Sequence, residues 1–250
     1  MIRGLVQRAL PFLKPDSTDN DVGLRLWPYG EVATQPLIRK AHGLADEGSY
    51  FVANNAQTGV ASPAVATFTA ASPLLIVQNG YPVGGPRVYL DYLALVTTAA
   101  GGWASAGVNE QLTVVVDTAN RYSSGGTTLT PQNPNTGALV GSAPQVGVYF
   151  GAPTATSAGA SARTICGLRI LRPAVSATVA DVIGELKILN FGGVEATMNG
   201  SITIANANQI PHPLPPVVIA PGGTALVYFT LNGTTPSAAS FAPELGLFVR

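Results

Sequence analysis

The chain has 250 residues, only 10% of them charged, and its thirteen basic and thirteen acidic side chains cancel. That balance gives no basic face for nucleic acid, and the single cysteine rules out an intrachain disulfide or a Cys-rich metal site. A hydrophobic content of 46% separates the chain from the disordered class, and its length suits one large β domain plus an extension.

Charge is unevenly placed. Residues 1–47 hold 12 of the 26 charges, and the other 203 residues share 14. The opening "MIRGLVQRALPFLKPD" is basic and apolar, but Arg8, Pro11 and Lys14 interrupt it, so it reads poorly as a signal peptide. Its first part suits a turn or two of amphipathic helix. The remainder of 1–47, with Pro15, Pro28 and Pro36, is expected to be extended. No run reaches the roughly 18 apolar residues of a membrane helix, so no membrane partner is expected, and the chain reads as soluble and not exported. Leu24, Leu26, Trp27, Tyr29, Leu37 and Ile38 stand among the charges of this extension. They suit an arm that anchors on a neighbouring surface through aromatic and aliphatic side chains.

The composition shifts near Gly48. From there, "SYFVAN", "VATFTA", "PLLIVQN", "RVYLDYLALVTT", "QLTVVVDTA", "QVGVYFG", "RTICGLRIL", "VIGELKILNF", "GSITIAN", "PPVVIA", "TALVYFTL" and "ELGLFV" follow in turn. Each is short, rich in β-branched or aromatic residues, and bounded by Gly, Pro, Asn or Ser. No helical pattern intervenes and no internal repeat is present. The expected fold class is all-β: a jelly-roll-like β sandwich over 48–250 with an extended N-terminal arm over 1–47. Prolines are expected at strand ends, where no ladder donor is lost. Residues 121–145 and 151–162, made of small and polar residues, are expected to be loops. The Asn-Gly pairs of "NGS" and "NGT" read as turns.

Catalytic signals are sparse. Only His42 and His212 are present, too few for a multi-histidine metal site, so neither a metal nor another cofactor is expected. Cys166 lies among apolar neighbours and reads as a buried structural thiol. No Gly-x-Ser-x-Gly elbow occurs. Asp91 and Asp117 lie on neighbouring predicted strands, and a paired-carboxylate hydrolase would need them about 5–9 Å apart in a cleft. Isolated strand-face charges are the commoner explanation, and the chain is not expected to be an enzyme. Tyr81, Tyr89, Tyr92, Trp103 and Tyr122 gather in the first half of the domain, where core packing outweighs a glycan-stacking face.

Residues 48–86, 122–162 and 196–243 contain no Asp, Glu, Lys or Arg. Interface cores are depleted in charge, so these stretches point to a symmetric oligomer. "PPVVIAPGGTALVYFTLNG" reads as a strand pair covered partly by sister subunits, with Val217, Val218, Tyr228, Phe229 and Phe248 as candidate interface residues. The C-terminal "PPVVIAPGGTALVYFTLNGTTPSAASFAPELGLFVR" resembles the ending of tailed-bacteriophage virion proteins, in which such strands close a small β domain. The low charge, Ala/Gly/Thr richness and single cysteine are similar to capsid decoration (cement) proteins. The resemblance implies a homo-oligomer, often a trimer, seated on the major capsid protein at the virion surface. A tail or head-fibre module that binds host glycan is the alternative it leaves open.

Overall fold

A computed structural model of the chain describes residues 25–26, 32–33, 40–63, 68–99, 102–103, 107–135, 137, 144–173, 179–180, 183–192, 214–232 and 239–250. Two compact units are present, Met1–Arg39 and Lys40–Arg250. In the first, β1 (Arg25–Leu26) pairs antiparallel with β2 (Val32–Ala33).

The second unit opens with α1 (Lys40–Asp46), a helix where extended chain was expected. Among its described side chains only Leu44 is a buried apolar anchor, so the segment carries little helical periodicity. Its C-terminus is well made. Ser49 N donates to Leu44 O (2.9 Å) and Gly48 N to Ala45 O (3.0 Å), with Gly48 left-handed at φ 77°.

Fourteen strands follow: β3 (Tyr50–Asn54), β4 (Val60–Ala61), β5 (Leu75–Asn79), β6 (Val88–Ala99), β7 (Gly102–Trp103), β8 (Gly107–Asp117), β9 (Tyr122–Thr128), β10 (Val146–Ala155), β11 (Arg163–Pro173), β12 (Val179–Ala180), β13 (Leu186–Asn190), β14 (Val217–Ile219), β15 (Thr224–Asn232) and β16 (Ser240–Val249). They form two six-stranded antiparallel sheets and a small β7–β12 pair. In sheet I, β6 and β16 run side by side, flanked by β13 and β14 on one edge and by β3 and β4 on the other. Sheet II has the order β11-β8-β15-β5-β10-β9. One core joins them: Phe51, Leu90, Leu93, Leu95, Leu245 and Leu247 of sheet I cluster with Leu75, Val77, Leu112, Val114, Val148, Phe150, Val227 and Phe229 of sheet II. The chain is therefore an all-β protein of two packed antiparallel sheets.

Three local expectations need correction. β9 lies inside the segment expected to be a loop, and β10 runs on past Gly151 to Ala155. β9 reads YSSGGTT and is largely exposed at a sheet edge, so no apolar alternation announces it. Prolines are not confined to strand ends, since Pro153 is inside β10 and Pro243 inside β16. Pro243 faces the gap between β3 and β4: β4 pairs with Ser240 and Phe241, and β3 takes over at Glu244. A missing N–H costs no ladder bond there.

The charge-free "PPVVIAPGGTALVYFTLNG" is not a strand pair. β14 pairs with β6 in sheet I, whereas β15 pairs with β5 and β8 in sheet II. β15 is apolar on both faces because both are covered by its own subunit. Ala225, Val227 and Phe229 point into the inter-sheet core. Leu226 and Tyr228 point the other way, into a second cluster with Ile76, Val115 and Ala155. Phe68 lies 4.7 Å from the Tyr228 ring, and the Tyr228 hydroxyl donates to Ala70 O at 2.9 Å. Residues 68–71 thus cover the outside of sheet II.

Candidate interaction surface

The outer face of sheet I has a different character. Strand alternation sends Phe51 and Ala53 of β3 inward and leaves Tyr50, Val52 and Asn54 on the opposite face. On β16 the outward set is Ala242, Glu244, Gly246 and Phe248, between the core residues Phe241, Leu245 and Leu247. β6 would alternate likewise, but its register with β16 shifts. Gly246 faces Tyr92 and Leu247 faces Leu90, so Asp91 has no partner across the ladder. This β-bulge keeps Leu90 and Leu93 in the core and turns Asp91 and Tyr92 out together.

The registers line these residues up. Val218, Tyr89, Phe248 and Tyr50 form one cross-strand row, and Asn190, Tyr92, Gly246 and Val52 form the next. Tyr89 and Phe248 stack in parallel, centroids 4.7 Å apart. Tyr50 Oη donates to Asp91 Oδ2 at 2.8 Å, and Tyr92 Oη donates to Glu244 Oε1 at 2.5 Å. Gly246 makes this crossing possible, because a Cβ there would stand 2.6 Å from the Tyr50 hydroxyl and collide with the Tyr92 ring. Both tyrosines are pushed well above the ordinary phenol range, first by burial and then by hydrogen bonding to a carboxylate. They remain neutral donors, and the two carboxylates sit fixed in a field of apolar and aromatic groups. Val218 at the end of the row is 42% exposed.

The other expected features are distributed elsewhere. Val217 and Phe229 are core residues, and Tyr228 is buried in the second cluster. Of the five interface candidates, Val218 and Phe248 are the two on the outer face of sheet I. The gathered tyrosines are dispersed too: Tyr81 packs against the core, while Tyr122 stacks on Tyr149 at 3.6 Å on the outside of sheet II. The Trp103 side chain lies outside the described residues, as do Leu24, Trp27, Tyr29, Leu37, Ile38 and His212. Leu26 is described only as backbone of β1. Tyr50 and Gly246 escaped the sequence reading. The alternation of "SYFVAN" would have placed Tyr50 opposite Phe51, but nothing local reveals which tyrosine it meets.

Asp91 and Asp117 belong to different sheets and do not form a carboxylate pair. Asp117 is shut into a polar network at the end of β8. Its oxygens accept from Ser161 Oγ (2.5 Å), Ala119 N (3.1 Å) and Arg121 Nη1 (3.3 Å). Burial alone would raise its pKa, but these hydrogen bonds, with one from Gly159, hold it below the usual carboxylate range. Arg121, also buried, donates through Nε to Thr156 O at 2.8 Å. The network straps residues 156–162 to the sheet. Lys187 and Glu185 make a second buried ion pair at 3.7 Å. Cys166 is half-buried against the core, and burial pushes its thiol upward. His42 is exposed on α1. Among the described residues no group of three or more His, Cys, Asp or Glu is placed to hold a metal ion, and no helix is long and apolar enough to cross a membrane.

No protein-family model, curated protein or solved structure matches the chain.

Proposed function

We propose that this chain is a structural, non-enzymatic virion protein that binds and stabilises a capsid shell as a cement protein, assembled as a homo-oligomer. The observation that carries this reading is the outer face of sheet I. It sets aromatic and aliphatic side chains around two tyrosine-held carboxylates, in a protein whose last 203 residues carry only 14 charges. Surfaces of this composition are those that other chains cover. The resemblance of residues 215–250 to tailed-phage virion proteins supports the capsid as the setting, and the separate unit Met1–Arg39 suits a latch onto shell or neighbour. A jelly-roll-like topology is part of the proposal, supported by the way the chain passes repeatedly between sheets, from β4 to β5 to β6 to β8 and from β14 to β15 to β16. Glycan binding has less support, because the ring faces of Tyr89 and Phe248 are turned toward each other.

Co-sedimentation with isolated capsids tests the proposal. The full chain is expected to pellet with capsids, and a chain lacking 1–39 to stay in solution while keeping its β circular dichroism. The deletion stops at 39 because α1 belongs to the sheet-bearing unit. A full chain that ignores capsids, or that binds a glycan array instead, would overturn it.

A further inference from the structure

We infer that the outer face of sheet I seats residues 1–14 of a second copy of this chain. The inference deepens the oligomeric part of the proposed function and rests on it. Between the Val218–Tyr89–Phe248–Tyr50 row and the Ile188–Ala94–Glu244–Asn54 row, the charged side chains are Asp91 and Glu244, both acidic. Arg87 and Arg250 stand beyond the first of these rows, and Arg250 is paired with Glu47 at 2.7 Å. Two copies of this face laid together would oppose like charges, which is costly when water is excluded. The face therefore selects a partner that is cationic and apolar at once.

Two stretches of the chain set three basic residues among apolar ones with no acidic one, 1–14 and 163–173. The second is β11, already paired along its length with β8 in sheet II, which leaves the first as the segment to reach a neighbour. "MIRGLVQRALPFLK" carries Arg3, Arg8 and Lys14 with no acidic residue, spaced by Ile2, Leu5, Val6, Leu10, Phe12 and Leu13. The other basic residues of 1–47 share their stretches with Asp16, Asp19, Asp21, Glu31, Asp46 and Glu47. On the face itself the acceptors are pre-set. Tyr50 engages Oδ2 of Asp91 and Tyr92 engages Oε1 of Glu244, which leaves Asp91 Oδ1 and Glu244 Oε2 to accept from a guanidinium. The aliphatic side chains of the segment would bury against Val52, Tyr92, Ile188 and Val218, and the tyrosine hydrogen bonds keep the carboxylates from turning away.

Sedimentation velocity of the full chain over a concentration series tests this contact. Glu244→Lys and the pair Arg3→Glu with Arg8→Glu are each expected to weaken self-association about tenfold or more, as loss of a close interfacial charge pair does. Combining them restores opposite charges and is expected to recover most of the loss. Salt at about 0.5 M is expected to weaken the wild-type oligomer. Unchanged association in either variant, failure of the exchange to recover it, or a wild-type chain that is monomeric throughout overturns the inference. The wild-type chain is also titrated with a synthetic peptide of residues 1–14, which needs no variant to fold. The peptide is expected to dissociate the oligomer, and one carrying Arg3→Gln, Arg8→Gln and Lys14→Gln to be inert; an oligomer indifferent to both peptides overturns the inference. An oligomer held by this contact that ignores capsids would sink the capsid reading alone.

Discussion

Asp117→Asn removes the negative charge from a site where a buried arginine depends on it. Arg121 is 2% exposed and Asp117 5% exposed, and neither has water to fall back on. Breaking one partner of a buried ion pair leaves the other charge uncompensated and costs about 3–5 kcal/mol. The 3.3 Å separation of Arg121 Nη1 and Asp117 Oδ2 is long for such a pair, and Arg121 keeps Thr156 O as acceptor. The loss expected for Asp117→Asn is therefore at the lower end, about 3 kcal/mol. Asp117→Ala also takes the acceptor from the partly buried Ser161 hydroxyl, while the exposed Ala119 N–H can turn to water, and is expected to cost about 1 kcal/mol more. Replacing both partners with apolar residues of similar volume, Asp117→Leu with Arg121→Met, is expected to recover much of the loss, because no charge then stays buried alone. Urea denaturation followed by circular dichroism measures the cycle. The sign with pH is fixed as well. The folded carboxylate is held below its unfolded value of about 3.9, so its contribution is complete above that value and fades as pH falls through the folded one. Asp117→Asn should abolish this part of the acid slope. A loss under about 1 kcal/mol, the size of an exposed pair, would refute the picture of a sealed network.

Three further outcomes are expected. Tyr50 and Tyr92 keep their protons in the folded state after unfolded tyrosine begins to lose them, so stability should fall as pH rises above about 10, by up to about 1.4 kcal/mol per pH unit for each. Urea denaturation across that range should show a shallower slope in Tyr50→Phe and in Tyr92→Phe. Gly246→Ala drives a methyl against the Tyr92 ring and the Tyr50 hydroxyl and should cost about 1–3 kcal/mol in a thermal melt; an unchanged melting temperature would mean that the tyrosine crossing is not held as described. Phe229→Ala should cost about 3–5 kcal/mol as a core truncation, whereas Val218→Ser should leave monomer stability within about 0.5 kcal/mol. Chemical denaturation at low protein concentration separates the two.

Much of the β character was legible in the chain itself. "SYFVAN", "PLLIVQN" and "QLTVVVDTA" each hold enough apolar and β-branched residues to specify strands whatever they pair with, and they became β3, β5 and part of β8. Local chemistry showed less where a strand was small and exposed. β9 is held by pairing with β10 rather than by apolar alternation, and α1 is held by one leucine and a glycine-ended turn.

Partnership across sheets was decided only by tertiary structure. The sequence by itself determined that "PPVVIAPGGTALVYFTLNG" must be covered, since an uncharged run of this length gives water little to hold. It did not determine by what. The fold sends β14 and β15 into opposite sheets and covers both faces of β15 from within the subunit, so that stretch alone makes no case for a neighbour. The case moved to the outer face of sheet I. There Asp91 and Tyr92 face outward together, with Leu90 and Leu93 both kept in the core, only because one extra residue bulges β6 against β16. A single-residue change of register turns every later side chain to the other face. The alternation within β6 slips by one at Asp91–Tyr92, between Leu90 and Leu93, but which strand absorbs that slip and what the two side chains then meet are set by long-range pairing and packing.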